Sequence, residues 1–212
     1  MNSYKDKFLA IVKGRVAVFI DAANLEMSMK DLYVNPRDIP DTLGKYAADN
    51  LAWRVSYKKL KQFIESAGTT TRAAFYSMRF DHDNHDKFLS VIKRSGFKLI
   101  TKPLKEYQDH TPEAPHRKAN FDVEIAVDAT FSQEAFDTFV LFSGDCDFEY
   151  LLRHLRGHGK RCIVFSRAGH ISKELLAAAS QYFDVIDFRD VFLEVFPKKA
   201  KSPTSFDARP RS

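Results

Sequence analysis

Short apolar runs, each closed by a polar or turn residue, recur along the chain and alternate with longer stretches of helical spacing. The runs cover Val16 to Ile20, Arg72 to Met78, Phe97 to Thr101, Thr138 to Phe142, Arg161 to Phe165 and a short last one near Phe183 to Ile186. Most are apolar on both faces instead of alternating, which predicts parallel strands covered on each side. Between them, Val55, Leu60, Phe63, Ile64 and Ala67 line one side of a helical segment that begins at Trp53 and stops at Gly68. Phe88, Leu89, Val91 and Ile92 do the same ahead of Gly96. Residues Asn120 to Phe131 read as a largely buried helix, and Asp147 to Gly159 as one opened by an acid and closed by glycines. Ser172 to Ser180 reads as a short Ala-rich helix with Ser172 at its N-cap. Strand and helix alternate throughout, the signature of an α/β domain with a mainly parallel sheet.

Two stretches break that rhythm. Residues 33–52 form a Pro- and Asp-containing excursion, and a second runs from about Leu104 to Arg117. The expected organisation is therefore an N-terminal extension over 1–14, one domain over 15–196 carrying the 33–52 insertion, and a basic tail over 197–212. The composition of that tail predicts disorder.

Composition narrows the class. The chain has 212 residues, of which 44% are hydrophobic and 29% charged, so it can bury one sizeable core, and its 19 Phe residues predict an aromatic one. No apolar run approaches the ~20 residues that span a bilayer, and Phe8 to Val12 is too short for a signal-peptide core. Cys146 and Cys162 share no metal-binding spacing, which favours a reducing cytoplasm. A net charge of +5 is compatible with a polyanionic partner and equally with none.

The acids carry the chemistry. In open α/β sheets ligands bind beyond the carboxyl ends of the strands. Asp21 follows the first apolar run directly, with Asn24 three residues on; Asp145 and Asp147 follow the Thr138 run; Asp122 opens the helix leading into that run. Crowded carboxylates repel one another and need a compensating cation. An all-oxygen donor set points to a hard ion, Mg²⁺ or Mn²⁺, which can activate water and stabilise charge on a phosphodiester. Asp122, Asp145 and Asp147 also suit helix caps or first-turn acids, so cap and ligand both remain open for each of them taken singly.

These segments, in this order, resemble the NYN domain family, a branch of the PIN-like ribonucleases. VAVFIDAANL looks like the family's opening strand, KANFDVEIAVDA like its Lys–Asp helix, and VLFSGDCDFEYLLRHLRGHGKRCIVF like its SGDxDF signature. The resemblance spans about residues 15 to 190 and implies a three-layer α/β/α sandwich, a metal-dependent nuclease site and an RNA substrate. It implies Asp21, Asp122 and Asp145 as metal-binding acids, Asp147 as a further catalytic acid, and Asn24, Ser143 and Asp128 as supporting polar groups. Asp128 ranks lowest, since it lies six residues after Asp122 and faces elsewhere on an ideal helix. Arg117, Lys118, Arg153 and Arg167 are the candidate RNA contacts, positioning phosphates without reading sequence. RNA is the expected partner, with no membrane and with a homodimer left open.

Other patterns carry less. DHDNHD, residues 81–86, lacks the Gly and Glu of a calcium loop and reads as a solvated segment capping the next helix. His154 and His158 lack the Glu of a zinc helix, and Cys146 between two acids is a poor nucleophile. Ala23 stands where a haloacid-dehalogenase phosphatase needs its second Asp, and no GxGxxG follows a strand. Two readings are left: a Mg²⁺/Mn²⁺-dependent endoribonuclease, and a catalytically weak RNA-binding or regulatory module of the same fold.

Overall fold

A computed structural model of the chain describes residues 3–80, 83–103 and 120–198. The 104–117 excursion and residues 199–212 of the basic tail lie outside the described residues. Six strands form one sheet: β1 (Val16–Asp21), β3 (Thr70–Arg79), β4 (Lys98–Pro103), β5 (Thr138–Phe142), β6 (Arg161–Ser166) and β7 (Gln181–Asp184). Its order is β4-β3-β1-β5-β6-β7 and every pairing is parallel. The helices are α1 (Ser3–Ile11), α2 (Ala22–Met29), α3 (Tyr57–Glu65), α4 (Asp83–Arg94), α5 (Asp122–Phe131), α6 (Glu149–Gly157), α7 (Lys173–Ala178) and α8 (Arg189–Phe192). The chain is a doubly covered α/β sandwich, as the two-faced apolar runs require. No helix among the described residues is long and apolar enough to cross a membrane.

Alternate residues of each strand feed two separate cores. Val16, Val18, Ile20, Phe142 and Phe165 pack with Phe8 of α1, Leu25 of α2, Phe63 of α3 and Phe192 of α8. Ala17, Phe19, Leu141 and Val164 pack with Ile125 of α5, Leu152 of α6 and Leu175 of α7. The first core is the aromatic one. Phe142 and Phe165 stack at 4.7 Å, and Phe8 meets Phe63, Phe165 and Phe183 at 4.7, 5.5 and 5.9 Å. Each ring buried there contributes on the order of 2–3 kcal/mol. Residues 1–14, expected as an extension, thus supply α1 and a fully buried Phe8.

A second sheet was not expected. β2 (Leu51–Val55) pairs antiparallel with β8 (Leu193–Pro197), Trp53 facing Val195. Trp53 to Val55 therefore belong to a strand, and α3 starts only at Tyr57. The helical spacing misled there because β2 runs into α3 with one residue between, so the apolar positions of both merge into one series. The 33–52 excursion forms three single 3-10 turns and leads into β2. The last apolar run is shifted too: β7 ends at Asp184, whose side chain caps a 3-10 turn over Val185–Phe188 by accepting from Ile186 N.

Helix α5 corrects the expectation of a largely buried element. Ile125 and Ala129 are buried, with Phe121 ahead of them, but Val123, Val127 and Phe131 are 71%, 61% and 89% exposed. An apolar composition all round gives no signal for which stripe faces the sheet.

Candidate active site

In the sheet, β1 lies between β3 and β5; the chain runs outward from β1 through β3 to β4, then returns to β5 on its other side and continues outward through β6 to β7. The carboxyl ends of β1 and β5 therefore flank a topological switch point, where backbone diverges and leaves a crevice. Asp21 ends β1 and the Ser143–Asp147 segment follows β5. Both lie at that edge, and α5 brings Asp122 to it across the second face.

Local bonds hold the acids in place. Asp21 is 9% exposed and caps α2, its Oδ1 accepting from Asn24 N at 3.3 Å while its Oδ2 accepts from Ser143 Oγ at 3.3 Å. Ser143 Oγ in turn accepts from Asp145 N at 3.3 Å. Asn24 Oδ1 accepts from Gly144 N at 2.7 Å, tying α2 to the segment after β5. Asp145 accepts from Asp147 N at 3.1 Å and caps the 3-10 turn leading into α6. The Asp145, Cys146 and Asp147 side chains each offer a ligand atom within 4.8 Å of the others.

Gly144 is held by close packing. A Cβ there would stand 1.8 Å from the His170 carbonyl oxygen and 2.7 Å from Ser166 Oγ. Ser172 N also donates to Gly144 O at 2.9 Å, so the loop after β6 clamps the acidic segment from behind.

Electrostatics show the crowding. The Asp122 carboxyl is pushed up to about 6, by burial first, then by Asp145, Asp21 and Asp147; a bond from Asn120 opposes the shift. The Asp21 carboxyl is also raised, by burial and by Asp145, against stabilising bonds from Asn24 and Ser143. Asp122 has no capping duty: Asn120 Oδ1 accepts its backbone N–H at 3.2 Å. Its carboxyl lies within the field of Asp145, Asp21 and Asp147, with the Asn120 bond as its local partner. The cap and ligand roles of Asp21 and Asp145 are compatible, because each carboxylate oxygen has a second lone pair.

The remaining candidates sit as follows. Asp128 faces away from the acids, pairing with the Arg72 guanidinium and accepting from Tyr76 Oη at 2.8 Å. Arg153 is exposed and pairs with Glu149 one turn back at 2.9 Å. Arg167 donates to Lys30 O at 3.0 Å and Ser28 O at 3.5 Å, fastening the loop after β6 to the end of α2. Arg117 and Lys118 lie outside the described residues. The Cys146 thiol is raised by desolvation and by Asp145 and Asp147, which disfavours a thiolate. The His154 and His158 rings lie 4.3 Å apart at a 41° tilt, and His158 Nδ1 contacts His154 O of their own helix.

One positioning residue escaped the sequence reading. Lys102, at the end of β4, donates to Asn120 O at 3.0 Å and pairs with Glu124. It anchors the start of α5 and hence Asp122. Its only sequence signal was a cation at a strand's carboxyl end.

Comparison with known proteins agrees with this fold. The NYN domain profile matches residues 15–187. The low amplitude and bright protein LabA of Synechococcus elongatus is 27% identical over 205 residues, covering 95% of this chain and 97% of LabA. The crystal structure of a Vibrio parahaemolyticus protein of unknown function superposes with a TM-score of 0.66 at 19% identity, covering 87% of this chain and 98% of that one. That likeness is one of fold.

Proposed function

The chain belongs to the NYN domain family, and from that premise we propose that it is a ribonuclease dependent on Mg²⁺ or Mn²⁺ that cuts RNA internally. The observation that carries this reading is the raised carboxyl of Asp122, which faces Asp21, Asp145 and Asp147 without a capping role. Carboxylates held against their mutual repulsion fit a hard divalent cation, and the donor set is all oxygen. Asp21, Asp122 and Asp145 would hold the ion, which would supply Lewis acidity and a hydroxide at neutral pH.

The protein's own groups do the rest. Ser143 orients Asp21 through one oxygen while the first turn of α2 holds the other. Asn24 and the loop after β6 fix the backbone that carries Asp145. Asp147, exposed at the rim, is the group best placed to handle a proton from water or leaving group. Arg153, Arg117 and Lys118 would hold phosphates by charge, a contact independent of base identity.

A second reading has one observation in its favour. Asp21 and Asp145 each cap a helical turn, so the acids could persist in a catalytically weak RNA-binding module. Asp21→Asn separates the two. Under the ribonuclease reading it lowers cleavage of single-stranded RNA at least ~100-fold in Mn²⁺, with RNA binding in EDTA unchanged. Cleavage by Asp21→Asn at the wild-type rate, in preparations free of contaminating nuclease, would sink the ribonuclease reading.

A further inference from the structure

Beside the acids, on the other side of α2, opens a cleft of about 1400 Å³ between that helix, the end of β3 and the β2–β8 ribbon. Ala22 and Ala23, the residues after Asp21, form its near end, so the cleft begins one residue along the chain from the acidic edge. Along α2 the exposed positions Ala23, Glu26, Met27 and Lys30 face it at helical spacing. Glu26 lies five residues beyond Asp21, a rise of about 7.5 Å.

The lining is unusual for a solvated surface. Tyr33, Phe80 and Phe196 are 65%, 39% and 39% exposed, and all three line this cleft together with Met27 and Val91. Apolar side chains gathered around one concavity mark a binding site, whereas single ones do not. Basic and acidic side chains balance along the walls. That balance does not suit a string of phosphates. It suits a flat, uncharged aromatic group with hydrogen-bonding edges.

Glu26 supplies the edge contact. It is an exposed residue of the cleft wall, and partial desolvation there raises its carboxyl while Arg54 opposes the shift. Among the described residues no hydrogen bond uses the Glu26 carboxylate. A carboxylate is an acceptor with two parallel oxygens, so it pairs best with two adjacent N–H donors. Among the four RNA bases only guanine presents two such donors side by side on its Watson–Crick edge, at N1 and N2. Single-stranded bases are recognised in this way, splayed onto aromatic rings and read along that edge.

We propose that this cleft is a base subsite that takes a guanine of single-stranded RNA about one nucleotide from the acidic centre, stacked on the exposed aromatic rings and held by Glu26. The proposal rests on the ribonuclease reading for the polymer, but not for the base.

Trp53 is the single Trp of the chain and lies in the cleft wall, its Nε1 donating to Tyr33 O at 3.2 Å. Its fluorescence therefore reports occupancy. GMP, AMP, CMP and UMP are titrated against the full chain in EDTA, with calorimetry in parallel, so that no catalysis is needed. GMP is expected to bind at least about fivefold more tightly than the other three. Glu26→Gln should erase that preference, and Tyr33→Ala should weaken GMP about tenfold by removing one stacking face. Equal binding of all four nucleotides, a preference surviving in Glu26→Gln, or no GMP binding by either method overturns the proposal. RNA cleavage is assayed separately: cleavage without a GMP preference removes the subsite alone, and a GMP preference without cleavage removes the ribonuclease alone.

Discussion

Replacing Asp122 by Asn should make the metal-free protein more stable at neutral pH. Burial and three neighbouring carboxylates raise the Asp122 carboxyl from 3.8 to about 6. Taken at face value that is about 3 kcal/mol against the ionised form. Asp122 is partly exposed, so solvent screening reduces the penalty to about 1–2 kcal/mol. Asn forfeits the favourable charge in the first turn of α5, about 0.5 kcal/mol. The net gain is on the order of 1 kcal/mol, or about 2–4 °C in Tm for a chain of this size. The pH dependence has a definite sign. Below pH 3.8 the group is protonated folded and unfolded alike, and no penalty exists. The penalty develops as pH rises from about 4 to 6 and is complete above that window. Thermal unfolding in EDTA at pH 4.5, 6 and 7.5 should therefore show the variant's advantage growing with pH. Saturating Mn²⁺ should reverse the order at pH 7.5, because a ligand at about 100 times its Kd stabilises the wild type by ~2.7 kcal/mol. A lower Tm for Asp122→Asn in EDTA at pH 7.5, or a difference that ignores pH, would refute the reasoning.

Gly144→Ala places its Cβ 1.8 Å from the His170 carbonyl oxygen, so the loop after β6 must move off the acidic segment. We expect a loss of about 2–3 kcal/mol in denaturant unfolding, and an unchanged midpoint would show that the clamp is soft. Phe8→Ala removes a fully buried ring from the aromatic core and should cost about 3–5 kcal/mol. If deleting residues 3–11 leaves Tm unchanged, α1 is peripheral after all.

Strands buried on both faces were easy to read, because Val16 to Ile20 and Thr138 to Phe142 admit no other assignment in runs so short. The edge elements were not. Trp53 to Val55 merged with α3 because one residue separates them, and β8 is too short and mixed to stand out from a charged C-terminal stretch. The acids were legible for a related reason. Asp21 and Asp145 follow buried strands directly, so strand direction alone brings them to one edge. Which oxygen each acid uses locally was not legible, since capping depends on the backbone of the next turn: Phe121 is the N-cap of α5, and Asn120 Oδ1 accepts from Asp122 N. The cleft was invisible in the sequence because its walls come from segments far apart in the chain.

That last separation bears on the order in which the molecule assembles. β2 and β8 pair across about 140 residues, and closing so long a loop in an open chain costs about 4 kcal/mol of entropy. Once the six-stranded sheet and α3 are in place, both strands are already neighbours and most of that cost has been met. On this entropy argument the ribbon is expected to dock late in folding, onto a sheet whose acidic edge is complete. By the same argument it can leave first, at less cost than opening the sheet. The acidic edge and the wall beside it are thus expected to sit at different levels of local stability, so that the cleft changes width while the carboxylates keep their spacing.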